Sequence, residues 1–239
     1  MMARVVVLSG AGISAESGIS TFRDNNGLWE EYDVKDVCTL GCLEINREET
    51  IEFYDKRRVE LADKKPNKAH KVLATLKKRY KDEIAIITQN VDDLFEKAGL
   101  DSDEIIHLHG ELTKVSCQEC GLTYNIGYKK IQQSFNGKCP SCFSTKIRPF
   151  IVMFGEEAPE YVKLYEVLQE CELLVVIGTS GQVIHADDFI PFVSKSVLNN
   201  LKPSDALDEN LYNYVFYEKA TDAIDKIKII IDNCFWVIK

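Results

Sequence analysis

The stretch Arg4-Val5-Val6-Val7-Leu8 runs directly into Ser9-Gly10-Ala11-Gly12-Ile13-Ser14-Ala15. A short apolar run followed by G-x-G-x-x-A is the strand-to-turn context of a dinucleotide site. In that reading Gly10 permits the tight turn and Gly12 lets the backbone approach a pyrophosphate. Ala15 leaves room for a following helix to pack closely. The same pattern alone also serves a plain tight turn. A dehydrogenase of this type would carry a second strand ending in an acid about 20 residues on. Here that region reads RDNNGLWEEYD, polar and loop-like, so a dehydrogenase fits poorly.

Five more runs rich in Val, Ile and Leu lie outward from this turn: Glu83–Thr88, Glu104–Leu108, Leu173–Ile177, Lys195–Asn199 and Tyr214–Tyr217. Most are continuously apolar rather than alternating, as strands buried on both faces are. Helical patterns separate them at Glu48–Ala62, Asn67–Tyr80, Val91–Ala98, Glu160–Glu170 and Thr221–Asn233. This alternation predicts an α/β fold, a Rossmann-like parallel sheet with helices on both faces. Two stretches break the rhythm. From Gly27 to Tyr80 there are helical patterns and no strand; Thr113–Arg148 holds four cysteines among turn residues. They predict a small lobe built from insertions. The expected division gives residues 1–30, 81–112 and 149–239 to the sheet domain. Residues 31–80, a helical insertion, and 113–148, a zinc module, form the small domain.

Cys117-x2-Cys120 is followed after eighteen residues by Cys139-x2-Cys142. That spacing is the one that folds two turns around a tetrahedral zinc ion. Four thiolates leave no open coordination position, so the ion is expected to be structural. The 239 residues contain no apolar run near the ~18–20 needed to span a membrane. The opening MMARVVVLSG has too short an apolar run for a secretory signal. The expectation is a cytoplasmic protein with reduced thiols, where metal explains clustered cysteines. A net charge of −9 argues against nucleic-acid binding by the whole surface. The zinc module runs against that balance at +5, six basic residues against Glu119. Four thiolates with one zinc ion subtract two charges, and the rest reads as a solvated face.

The strand ends carry the polar chemistry. Thr88-Gln89-Asn90-Val91-Asp92 lies where open parallel sheets bind ligands. By itself it reads first as a helix start, with Asn90 as cap and Asp92 and Asp93 in the first turn. His107-Leu108-His109-Gly110 puts two histidines on one strand face. A strand-end histidine is usually structural, but beside a nucleotide it can serve as a general base. On the 48–62 helix, Ile51, Tyr54, Arg57/Arg58 and Leu61 share a stripe. Arg57 either snorkels to solvent or joins Tyr54, three residues earlier, in gripping a carboxylate.

The fourteen residues GAGISAESGISTFR resemble the signature of the sirtuins, NAD-dependent protein-lysine deacylases, and the resemblance covers nearly the whole chain. It implies that Gly10, Ala11, Gly12, Ala15, Thr21, Phe22, Arg23 and Trp29 hold NAD. TQNVD is similar to the family's TQN-[IV]-D motif, which implies Gln89, Asn90, Val91 and Asp92 around the ribose and nicotinamide. The H-G dipeptide implies His109 as catalytic base, assisted by Asn90 and Asp92. Arg148–Glu156 resembles RP-x-[IV]-V-x-FGE, along which a peptide adds as a strand, implying Val152, Phe154 and Gly155 as substrate contacts. Met153 stands where Trp is common. Gly178, Thr179 and Ser180 resemble the family's GTS motif, and Asn200, Leu201 and Lys202 resemble the start of NLEPS. Ala220 matches a position beside the adenine. His185 and Asp187 depart from the family pattern after GTS.

A four-cysteine zinc module stands at this same point in the family, so Cys117, Cys120, Cys139 and Cys142 are its implied ligands. Tyr54-x-x-Arg57 resembles the branch that removes succinyl and malonyl groups, with Cys38 where those members carry Ala. The function implied is NAD-dependent deacylation, acetyl and also succinyl or malonyl, releasing nicotinamide and O-acyl-ADP-ribose. The implied cofactors are NAD and one zinc ion. The partners expected are acylated lysines of proteins, with no membrane, no nucleic acid and a monomeric chain. Two other readings stand beside it: ADP-ribosyl transfer to protein from the same NAD site, and non-catalytic binding through the basic zinc module.

Overall fold

Runs of Val, Ile and Leu form the centre of the computed structural model, which describes residues 3–20 and 32–236. The strands are β1 (Val5–Ser9), β2 (Ile84–Thr88), β3 (Ile105–His107), β4 (Gly110–Cys117), β5 (Thr123–Asn125), β6 (Ile147–Ile151), β7 (Leu173–Ile177), β8 (Lys195–Asn200) and β9 (Tyr214–Tyr217). The α-helices are α1 (Val34–Val37), α2 (Cys42–Ile45), α3 (Arg47–Leu61), α4 (Lys68–Tyr80), α5 (Leu94–Lys97), α6 (Tyr161–Leu168) and α7 (Ala220–Trp236). Six strands make one parallel sheet in the order β3-β2-β1-β7-β8-β9. All six correspond to the runs singled out in the sequence.

Every residue of β1, β2 and β7 is buried, because both sheet faces are covered. Val5, Val7, Ile84 and Ile86 pack against α4 and α7 on one face. Val6, Leu8, Ala85 and Ile87 pack against α6 and the 3-10 segment Ala186–Phe192 on the other. Ala69, Leu73, Ala74 and Leu76 place α4 in the sheet's own core. The apolar face of α4, the last helix of the expected 31–80 insertion, needs a partner surface, and the sheet provides it.

Two expected helices are corrected. The Gly-rich turn leads into two 3-10 turns, Ala11–Ile13 and Ala15–Ser17, rather than a helix, and Ala15 is exposed. Ser14, Ser17 and Gly18 are weak helix formers, and Gly18 takes a left-handed φ of +77° that ends the second turn. The 91–98 helix contracts to α5. The Asn90 amide donates to Thr88 Oγ1 at 3.0 Å and the Leu94 amide to Asp92 Oδ1 at 3.1 Å. Side chains thus take up backbone donors that would otherwise begin the helix.

The small lobe joins α3 to a three-stranded antiparallel sheet, β5-β4-β6. Phe53, Tyr54, Leu61, Leu112, Ile151 and Met153 form its core. Arg58 is fully buried, paired with Asp55, and donates from Nε to the Leu112 carbonyl at 2.6 Å. Asp55 also accepts the Ile131 amide at 3.1 Å, tying α3 to the zinc module. Neighbouring arginines therefore divide: Arg58 is a structural tie, and Arg57 faces elsewhere.

The zinc module has two matching knuckles. Gly121 N donates to Cys117 O at 2.9 Å, and Phe143 N donates to Cys139 O at 3.0 Å. Gly121 has φ +72° and Phe143 φ +60°. The second knuckle thus holds an aromatic residue, 73% exposed, in a backbone region that suits glycine. Phe143→Gly should stabilise the protein by about 1 kcal/mol. The check is a higher urea midpoint with an unchanged slope. Among the described residues, no helix is long and apolar enough to cross a membrane.

Candidate functional site

The site forms along the carboxyl edge of the parallel sheet. The Gly10 amide donates to Ile177 O at 3.0 Å and the Gly12 amide to Gly178 O at 2.8 Å. A Cβ at Gly10 would lie 2.7 Å from Gly178 O, and one at Gly12 would lie 2.7 Å from Gly178 Cα. These glycines are therefore required first by the contact of two loops with each other. Gln89 Nε2 donates to Thr179 Oγ1 at 3.0 Å, and Asn200 Nδ2 donates to Thr179 O at 2.8 Å. Ser204 Oγ donates to Ser180 O at 2.6 Å. Loops after β1, β2, β7 and β8 are thus laced into one floor. It brings together Gly10, Ala11, Gly12, Gln89, Gly178, Thr179, Ser180 and Asn200.

Leu201 and Lys202 are exposed just beyond β8, while Ala220 is buried at the start of α7. Thr21, Phe22, Arg23 and Trp29 lie outside the described residues. His185 is exposed. Asp187 accepts the Asp208 amide at 2.7 Å and the Tyr212 hydroxyl at 2.8 Å, so its departure from pattern serves to pin a loop.

Beside this floor lies a buried polar cluster. Ser14 Oγ donates to Asp92 Oδ2 at 2.8 Å and accepts from Asn90 Nδ2 at 3.1 Å. His70 Nε2 lies 3.3 Å from the same hydroxyl. Burial holds the His70 imidazole down to about 3, so it is neutral at pH 7. Burial pushes the Asp92 carboxyl up, with the Ser14 hydroxyl opposing. The cap reading of Asn90 is superseded, since its side-chain amide turns to Ser14. Val91 is half-buried, and its carbonyl accepts the Leu112 amide at 2.8 Å. Ser14 and His70 were not singled out in the sequence. The signal available was a histidine on the apolar face of α4, between Ala69 and Leu73.

His109 Nδ1 faces the Gln89 carbonyl at 2.9 Å, which assigns the proton to Nδ1 and leaves a lone pair on Nε2. That nitrogen is 3.0 Å from the Tyr161 hydroxyl, which donates to it. Burial lowers the His109 pKa below its usual value, with the Gln89 carbonyl opposing. The group is therefore a neutral imidazole able to accept a proton. Tyr161, on α6, carried no motif that could have flagged it.

Residues 152–154 cross between the lobes. The Val152 amide donates to His109 O at 2.9 Å, Phe154 N to Cys38 O at 2.8 Å, and Leu40 N to Phe154 O at 2.8 Å. The Arg148 guanidinium grips both Glu156 oxygens at 2.7 and 2.9 Å, and Glu156 also accepts the Met153 amide at 2.9 Å. Gly155 takes a left-handed φ of +89° after half-exposed Phe154. Met153 does not wall this channel. Its sulfur is buried 3.1 Å from Cys42 Sγ.

Tyr54 is buried and Arg57 is half-buried on the same side of α3, both interacting with Cys38. Burial, then Cys38, pushes the Tyr54 phenol well above its usual value. Burial lowers Arg57, opposed by Tyr54, Cys38, Glu60 and Asp92. A guanidinium remains charged under such shifts. This face of α3 thus sets a cation and a phenol beside Cys38, with Asp92 in electrostatic range.

In the zinc module Cys117 Sγ lies 3.6 Å from Cys142 Sγ, and Cys120 Sγ lies 3.6 Å from Cys139 Sγ. A tetrahedral ion with sulfurs at ~2.3 Å needs edges of about 3.8 Å. The four sulfurs, all within 4.8 Å of one another, fit it.

Comparison with known proteins yields matching findings. The description "Sir2 family" matches residues 10–185. An NAD-dependent protein deacylase of Campylobacter jejuni (strain RM1221) is 44% identical over 232 residues, covering 97% of each chain. A Sir2 homologue solved with NAD superposes with a TM-score of 0.81 at 30% identity, covering 96% of this chain and 90% of that one. A Sir2 structure bound to acetylated peptide gives a TM-score of 0.77 at 26% identity, covering 95% and 93%.

Proposed function

The chain belongs to the Sir2 family, and from that premise we propose which of its residues perform the chemistry. It is an NAD-dependent protein deacylase that acts on acylated lysine side chains, with a four-cysteine group that fits a structural zinc. The glycine-rich loops at Gly10–Gly12 and Gly178, on the carboxyl edge of the sheet, suit the backbone approach a dinucleotide requires. Bound NAD supplies the ribose carbon that loses nicotinamide and the hydroxyl to which the acyl group finally passes.

His109 is the general base. Gln89 O holds its Nδ1–H, so Nε2 takes a proton from a ribose hydroxyl, and the Tyr161 hydroxyl gives way at that atom. Asn90 and Asp92, locked through Ser14, orient the nicotinamide side of the cofactor. Gly10, Ala11, Gly12, Gln89, Thr179, Ser180 and Asn200 hold the remainder. The peptide lies along Val152, Phe154 and Gly155, a segment held in place by the backbone bonds of Phe154 to Cys38 and Leu40 and of Val152 to His109. The observation that carries this reading is the fixed tautomer of His109 beside the Ser14–Asn90–Asp92 cluster. Products from NAD and a panel of acylated peptides, identified by mass spectrometry, test it. Label from NAD retained on protein would instead indicate ADP-ribosyl transfer.

For acyl preference we propose succinyl- or malonyl-lysine over acetyl-lysine. The support is the pairing of Tyr54 and Arg57 on one face of α3, both interacting with the small Cys38. Losing one charge-assisted contact costs about 1.5–3 kcal/mol. Arg57→Met should therefore shrink the succinyl-to-acetyl ratio of kcat/KM by roughly 10- to 150-fold. An unchanged ratio would sink the preference. The net charge of −9 supports a protein rather than a nucleic-acid partner. Eight cysteines, none in a disulfide, support a reducing compartment such as the cytoplasm.

A further inference from the structure

Behind the polar cluster, Glu96 of α5, His107 at the end of β3 and Glu111 in β4 converge. Their ligand atoms all lie within 4.8 Å of one another. His107 is buried and both carboxylates are half-buried. The proposed reaction uses none of the three.

The histidine is already oriented as a ligand would be. Its Nδ1 faces the Asn90 carbonyl at 3.4 Å, so Nε2 is the nitrogen turned toward the carboxylates. Metal-bound histidines are commonly fixed in this way, with the second ring N–H given to a backbone carbonyl. Glu96 Oε1 lies 3.0 Å from Nε2. The other oxygen, Glu96 Oε2, is buried and has no hydrogen-bond donor among the described residues. A simple histidine–glutamate pair leaves that oxygen unsatisfied, which is costly. A cation between the three groups would satisfy it.

Charge points the same way. Lys97 answers Asp93 at 3.2 Å, and Lys114 answers Glu111 at 2.6 Å. Among the described residues, the ion-pair partner of Glu96 is His107 alone.

We propose that Glu96, His107 and Glu111 form a second metal site, separate from the four thiolates, for a divalent ion of the zinc or cobalt type. One imidazole and two carboxylates suit such borderline ions better than the all-oxygen preference of calcium. Three protein ligands leave a position for water. The ion would replace the proton between His107 and Glu96. Through the His107–Asn90 contact it would also bear on the loop that ends β2.

The test counts metal on the intact protein. Zinc per chain is measured after dialysis, and ZnCl2 is then titrated calorimetrically; CoCl2 serves as a spectroscopic probe. The expected result is one ion that resists dialysis and a second that binds reversibly. Cobalt in the second site should show no thiolate charge-transfer band. Glu111→Gln and His107→Asn should each weaken the second ion at least tenfold, on the order of what perturbing a metal's ligand shell does. The first ion and the circular dichroism should stay unchanged. A single ion at saturating ZnCl2 would overturn the proposal. So would a second ion whose affinity is the same in wild type and both variants.

Discussion

His109→Ala should lower kcat/KM for deacylation by about 10²–10⁴-fold, the range for loss of a positioned general base. Nicotinamide exchange should survive better than product formation, because the base acts after nicotinamide has left. An equal fall in both would remove His109 from that role. The pH profile carries a second check. A base must be neutral to accept a proton, so activity falls as pH drops through its pKa. Burial places the His109 pKa below the usual 6.5, so the acid limb of kcat/KM should lie below pH 6.5. The Tyr161 hydroxyl donates to the basic lone pair and so favours the neutral ring. Tyr161→Phe should move that limb upward while the fold stays intact. A limb that stays in place would reduce Tyr161 to a packing residue.

Cys139→Ser should remove the zinc ion and unfold the zinc module. Structural zinc in small modules contributes about 10–16 kcal/mol of apparent binding energy, and that energy is folding energy there. The zinc module has little else to replace it. The module's own core is Val115, Cys117, Ile126, Ile131, Cys139 and Ile147, two of which are zinc ligands. The damage should also reach the active site. β6 leads into Val152–Phe154, and the Val152 amide is bonded to the His109 carbonyl. Metal analysis, thermal unfolding and activity should therefore fail together, and a strong chelator should reproduce the result. A variant that keeps its zinc and its melting temperature would refute the assignment.

The parallel sheet was legible because its inner strands, β1, β2 and β7, are buried on both faces and so read as nearly unbroken apolar runs. The four cysteines were legible because metal geometry fixes their spacing. The Gly-rich turn was legible as a site but not as a shape. G-x-G-x-x-A predicts a helix, whereas Ser14, Ser17 and Gly18 permit only short 3-10 turns. The place of α4 was hidden for a different reason. An amphipathic helix announces that it has a buried face, not which surface buries it. Ser14, His70 and Tyr161 stayed out of view because each acts through a partner far along the chain: Ser14 on Asp92, His70 on Ser14, Tyr161 on His109. Arg57 and Arg58 are adjacent and chemically identical. Only the turn of the helix separates the one buried on Asp55 from the one beside Tyr54.

The contact of Gly10 and Gly12 with Gly178 has a consequence for synthesis of the chain. β1 takes a central place in the sheet, between β2 and β7. One neighbour, β2, emerges with residues 84–88, but the other waits for residues 173–177. Both insertions must pass before the two glycine loops can meet. Until then β1 is a five-residue apolar strand with an open edge. The two glycine loops therefore meet only after residue 178 has been made, and one edge of β1 stays open until β7 arrives.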